Sequence, residues 1–83
     1  MKILYFAWLR EKVGVAEEEV SLPEHVADLA GLVEWLRTRS PGHADALADT
    51  DNVRFAVNLD HARLDHAVAQ GDEVALFPPV TGG

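Results

Sequence analysis

Residues 26–39 read VADLAGLVEWLRTR, the one unambiguous helical pattern in the chain. Val26, Leu29, Val33 and Leu36 recur at i, i+3, i+4 spacing with Leu32 beside them, which predicts an amphipathic helix from Val26 to Arg39. Asp28 stands near its positive end, and Arg37 and Arg39 near its negative end. Ser40-Pro41-Gly42 is expected to end it, with a short turn at Ala44 to Ala48. No Ser or Thr cap occupies the obvious place at its start.

On both sides of the helix the pattern changes to that of strands. Lys2 to Trp8 (KILYFAW) is rich in apolar and aromatic residues and predicts a first strand. A connection over Leu9 to Ala16, with at most one helical turn and a bend at Gly14, leads to a weaker strand at Glu17 to Leu22 that Pro23 stops. After the helix, Val53 to Asn58 alternates cleanly, a short strand is expected near Arg63 and Leu64, and Gln70-Gly71-Asp72 turns the chain into a last strand, Glu73 to Phe77. The order β-β-α-β-(β)-β places one main helix across one face of a mixed sheet, an α+β class. That layout is the ubiquitin-like β-grasp fold, which by itself carries no function. The expected organisation is a domain over 1–77 and an extended tail over 78–83.

Alternation sorts each strand into two faces. Val53, Phe55 and Val57 of the third strand and Val74 and Leu76 of the last are expected against the helix, which leaves Ala56, Ala75 and Phe77 on the other side. In the first strand both sets are apolar: Ile3, Tyr5 and Ala7 on one face, Leu4, Phe6 and Trp8 on the other. A single helix covers one face of a sheet, and a solvated outer face should be polar. Phe6, Ala56, Ala75 and Phe77 therefore predict an exposed apolar patch of the sort that meets a partner, unless a loop or the tail covers it.

With 83 residues the chain has length for one small domain. It contains no cysteine, which excludes a disulfide framework, a thiolate zinc site and a cysteine nucleophile, and fits the cytoplasm. The apolar run Ile3 to Leu9 is too short for a membrane span or an export signal, so neither membrane nor export is expected. Seven basic residues against fourteen acidic give a net charge of −7, which argues against nucleic-acid binding. The same charge favours a basic protein partner, or simply keeps a small protein soluble.

The chain ends Phe77-Pro78-Pro79-Val80-Thr81-Gly82-Gly83. Gly is about 7% of residues, so a terminal Gly-Gly arises by chance roughly once in 200. Pro78 and Pro79 lack amide donors and push their predecessors toward extended backbone, so the sheet should stop at Phe77 and the chain leave it as a stiff stalk. The residues after Pro79 reach about 13 Å. Glycines at the tip have no side chains to block a narrow channel. A thin tip ending in a carboxylate suits delivery into another protein's active site. ATP can convert that carboxylate to an acyl-adenylate, and a sulfur nucleophile can displace AMP to leave a thiocarboxylate, with the protein as group carrier. The working group is then Gly83.

The segment GDEVALFPPVTGG (residues 71–83) closely resembles the C-terminus of the sulfur carrier subunits of molybdopterin synthase, the MoaD family. Ile3-Leu4-Tyr5-Phe6-Ala7, Leu9-Arg10-Glu11, Gly14, Val57-Asn58 and Leu64-Asp65 fit the same family, so the resemblance spans the chain. It implies that Gly83 is adenylated, with ATP, by a partner related to ubiquitin-activating enzymes, and receives sulfur from a donor protein. It implies that the tail, Pro78, Pro79, Val80, Thr81 and Gly82, enters the large synthase subunit, where sulfur passes to cyclic pyranopterin monophosphate. The implied assembly is a heterotetramer, with the active site mainly on the large subunit and no cofactor bound permanently to the carrier. Phe6 and Phe77 match family positions that pack on partners. His61 stands where an aliphatic contact residue is common.

Other chemistry finds little support. His25, His43, His61 and His66 form no helical pair and no HExxH, so no metal site is expected. Asp60-His61 and Asp65-His66 read as solvated loop residues rather than acid–base pairs. Ser21 and Ser40 lie in no GxSxG context, and no Gly-rich phosphate loop is present. Trp8 and Trp35 read as packing residues, with Trp8 at the border of the patch. The alternatives are a sulfur carrier for thiamine or amino-acid synthesis, which by resemblance ends in Gly-Gly without Phe-Pro-Pro, a ubiquitin-like modifier of lysines, and a plain binding module.

Overall fold

The computed structural model describes residues 1–79. Five strands, β1 (Lys2–Tyr5), β2 (Glu17–Glu19), β3 (Arg54–Val57), β4 (Asp60–Ala62) and β5 (Glu73–Phe77), form one sheet in the order β2-β1-β5-β3-β4. Only β1 and β5 pair in parallel; the other neighbours are antiparallel. Helices α1 (Trp8–Val13), α2 (Leu29–Arg37) and α3 (Pro41–Ala46) complete the β-grasp arrangement. Ile3 and Tyr5 of β1, Phe55 and Val57 of β3 and Val74 and Leu76 of β5 are buried together with Leu29, Leu32, Val33 and Leu36 of α2. Burial of each such aliphatic or aromatic side chain contributes about 1.5–3 kcal/mol.

The main helix starts later than its apolar pattern. Asp28 is the cap itself, accepting from the Gly31 N–H at 2.8 Å, and α2 runs from Leu29 to Arg37 rather than from Val26 to Arg39. Val26 is still buried, which is why periodicity reached back to it. The other free donors at this helix end go to the loop after β4. Leu29 N–H bonds the His66 carbonyl at 3.0 Å, and Ala30 N–H bonds the Leu64 carbonyl at 2.9 Å. The segment around Arg63 and Leu64 is therefore not a sheet strand; the strand is β4, a few residues earlier. Likewise Ser40-Pro41-Gly42 does more than stop α2. Ser40 caps α3 by accepting from His43 N–H, and Pro41 occupies its first turn.

The first strand is shorter than expected. Ala7 has φ +54°, which ends β1 and turns the chain into α1. Trp8 is thus helical, and Leu9 becomes fully buried. Gly14, at φ +98°, closes α1 by bonding the Arg10 carbonyl at 2.8 Å. Tertiary packing overrides the local strand propensity here. α1 lies against α3 so closely that a β-carbon on Gly42 would overlap the Lys12 carbonyl oxygen. β2 also stops early, at Glu19 rather than Leu22.

A polar knot ties β1, β2 and α3. Tyr5 donates its hydroxyl to Glu18 at 2.6 Å, and the same carboxylate oxygen lies 2.7 Å from His43 Nε2. His43 Nδ1 lies 2.7 Å from Ser40 Oγ, and Arg39 reaches the other Glu18 oxygen at 3.2 Å. His43 is only 7% exposed. Burial pulls the Glu18 carboxyl up, but hydrogen bonds from His43 and Tyr5 and the Arg39 charge outweigh it and hold it below the ordinary range. Tyr5 is pushed well above the usual phenol range, by burial first and then by the Glu18 carboxylate. The folded state thus retains a phenol proton that the unfolded chain gives up near pH 10, so this contribution is complete below pH 10 and lost above it. The slope of stability against pH above 10 is expected to be steeper than that of Tyr5→Phe by at most about 1.4 kcal/mol per pH unit. Urea titrations of both proteins at a series of pH values check this, and equal slopes would refute it.

Candidate partner-docking face and tail root

The face of the sheet away from α2 is built by cross-strand register. Leu4 of β1 stands beside Ala75 of β5, Ala75 beside Ala56 of β3, and Ala56 beside His61 of β4. One row thus crosses the sheet with small or apolar groups at its centre. In the next row toward the tail, Phe77 pairs with Arg54, and the His61 ring meets the Phe77 ring edge-on with centroids 5.6 Å apart. Phe6 follows β1 directly, donates its N–H to the Leu76 carbonyl at 3.1 Å and is 48% exposed. The opposite end of the face is polar. Lys2 pairs with Glu73 in register and bonds Glu17 at 3.1 Å, and that hydrogen bond is the main reason its ammonium pKa is raised.

The apolar part of this face is therefore concentrated where β5 ends and the tail begins. The structure brings Phe6, Ala56, Ala75, Phe77 and His61 together on that face. It adds Leu4, which alternation had placed there, and Arg54, for which the strand pattern held no functional signal. Among the described residues, no group of three or more His, Cys, Asp or Glu side chains is placed to hold a metal. No helix among them is long and apolar enough to cross a membrane. Asp60, His61, Asp65 and His66 are all exposed, but Asp60 and His61 belong to β4, paired with Val57 and Ala56, and only Asp65 and His66 lie in a loop.

Pro78 and Pro79 follow β5 at the rim of an open groove of about 720 Å³ between α1 and α3. Trp8, Lys12, Asp45 and Asp49 form its walls. Lys12 Nζ bonds Asp45 at 3.0 Å and lies 5.8 Å from the centre of the Trp8 ring, so this wall carries an exposed ion pair beside an aromatic face. These groove residues come from distant parts of the chain and had no mutual signal in sequence, apart from Trp8 as a border residue. Val80, Thr81, Gly82 and Gly83, the remainder of the tail and the expected acyl group, lie outside the described residues.

A profile of the ThiS family matches residues 3–83. The chain belongs to the ThiS family. Among its ThiS-family relatives, the molybdopterin synthase sulfur carrier subunit of Escherichia coli is 44% identical over 86 residues, covering 100% of this chain and 99% of that one. The human protein of the same name is 35% identical over 86 residues, covering 100% of this chain and 93% of its own. Among solved structures, SAMP1 from Haloferax volcanii superposes with a TM-score of 0.78 at 32% identity, covering 100% of this chain and 98% of that one. The sheet and stalk described above are thus the ThiS-family scaffold, shared along its whole length with relatives named as sulfur carriers.

Proposed function

We propose that this ThiS-family chain is the sulfur carrier of a molybdopterin synthase and that its working group is the Gly83 carboxylate. The observation that carries the reading is the full-length 44% identity to a sulfur carrier subunit of that synthase. The geometry fits it: Pro78 and Pro79 leave the sheet at the end of β5, beside the apolar part of its outer face.

In this reading an activating enzyme related to ubiquitin-activating enzymes joins the carboxylate to AMP from ATP and releases pyrophosphate. Hydrosulfide released by a donor protein then attacks the acyl carbon, the carbon–oxygen bond to AMP breaks, and AMP leaves. The thiocarboxylate that results is a soft nucleophile with its charge partly on sulfur. The large subunit binds the outer face through Phe6, Phe77, Ala56, Ala75 and His61, and receives Pro78 to Gly83 in its channel. There the sulfur passes to cyclic pyranopterin monophosphate. The carrier's own residues position the acyl group, and the large subunit holds the substrate. A heterotetramer of two carriers and two large subunits supplies both sulfur atoms of the product.

The likeness to SAMP1 of Haloferax volcanii, named small archaeal modifier protein 1, favours a second reading in which a lysine amine attacks the same adenylate. One experiment separates the two. Incubation with ATP, the activating enzyme and a sulfur donor is expected to exchange one oxygen for sulfur at Gly83, read by intact mass and fragmentation. Sulfur at another residue, or none with an active enzyme, would refute the carrier reading, and isopeptide adducts in its place would favour the modifier.

A further inference from the structure

The β3–β4 hairpin joins two unusual features at one residue. Asn58 and Leu59 have φ of +51° and +75° between the paired Val57 and Asp60. This is the backbone of a tight two-residue hairpin turn, whose second position ordinarily holds glycine because a β-carbon is strained there. Leu59 is also 87% exposed, more than any other large apolar residue described. A single exposed leucine is ordinary. A leucine that strains the backbone and buries almost nothing is not, since the fold would be better served by glycine or asparagine.

The turn is held rigidly. Asn58 N–H bonds the Glu73 carbonyl at 2.8 Å, and its side-chain oxygen accepts Glu73 N–H at 3.0 Å. Its amide donates to Asp72 at 3.0 Å, and Asp72 accepts Ala69 N–H at 2.9 Å. Leu59 is thus presented on a clamped tip. This tip lies beside Glu73, at the end of β5 remote from Phe77. The separation along the sheet is about 13 Å from the rise per residue. A partner that buries the usual ~800 Å² of the carrier reaches from one end to the other.

We propose that Leu59 is a second anchor, which enters an apolar socket on the large synthase subunit that covers the outer face. The proposal rests on the docking reading above. Phe6 and Phe77 contact the partner close to the root of the tail and resist its turning about the stalk only over a short lever. An apolar contact at the far end of β5 adds a longer lever and fixes the orientation of the sheet.

Leu59→Gly and Leu59→Asn test it, with Phe77→Asp as a parallel control. Both Leu59 variants are expected to melt at or above the parent's midpoint, because both residues accept positive φ. Both are expected to bind the large subunit roughly tenfold more weakly in calorimetric titration. Parent affinity in the Leu59 variants with weak binding by Phe77→Asp would overturn the anchor and leave the docking reading standing. Parent affinity in all of them would overturn both. A lowered midpoint in both Leu59 variants would place the side chain's role within the fold and overturn the anchor as well.

Discussion

Removal of Gly83 is expected to abolish sulfur acceptance and leave the thermal midpoint unchanged. The first half is a matter of reach. One residue fewer withdraws the carboxylate by about 3.3–3.6 Å, and it then misses the α-phosphate of ATP in the activating site. A displacement of 1 Å can cost about 100-fold in rate, so this larger one should leave no measurable yield. The second half follows from the location of the fold's stabilising contacts. The buried cluster runs from Met1 to Leu76, and the last strand ends at Phe77. Gly82→Val should behave similarly, because a β-branched side chain crowds a narrow channel and rejects positive φ. Thermal midpoint and thiocarboxylate yield, measured on the parent and both variants, check the prediction. A deletion variant that accepts and donates sulfur at the parent rate would show that Gly83 is not the carrier group.

Phe77→Asp is expected to lower affinity for the large subunit by about 2 kcal/mol or more, roughly 30-fold, with the fold retained. Phe77 lies on the outer face, opposite in direction to the buried Val74 and Leu76, and is half-buried there with the His61 ring edge-on to it. An aspartate there forfeits the apolar contact and must be desolvated on docking, while Arg54 across the strand pair offers it a counter-charge in the free protein. Calorimetric titration and circular dichroism of the same variant decide the matter. Unfolding would show that Phe77 serves the sheet, and parent affinity would show that docking uses another surface.

The sheet was legible in sequence because strand alternation is a local signal. Val53, Phe55, Val57, Val74 and Leu76 declare their inward side by spacing alone, and all are buried. The β5 bounds were equally plain, since Pro78 and Pro79 cannot continue a ladder. The errors lie where a local preference lost to a distant contact. Lys2 to Trp8 reads as strand throughout, yet Ala7 bends it because Leu9 is drawn into the core and α1 must pack on α3 at Gly42. The true start of α2 depends on carbonyls of His66 and Leu64, which no window around Asp28 contains. The knot at Glu18 shows the same limit. Glu18 sits in the weak strand Glu17 to Leu22 and His43 just after the helix stop, and nothing in sequence pairs them until the fold sets them 2.7 Å apart. Of the outer face of the sheet, the apolar row of Phe6, Ala56, Ala75 and Phe77 could be read from surplus apolar surface, whereas the groove at the tail root could not.

The position of β5 has a mechanical consequence. It lies inside the sheet, bonded to β1 on one side and β3 on the other, and the tail is its direct continuation. A pull along the tail loads both ladders in shear, so many hydrogen bonds must yield together. A tail hung from an edge strand such as β4 would load one ladder in place of two. If the tail serves as the proposed carrier arm, a strand held on both sides lets it be drawn back from a partner repeatedly without unravelling the fold from that end.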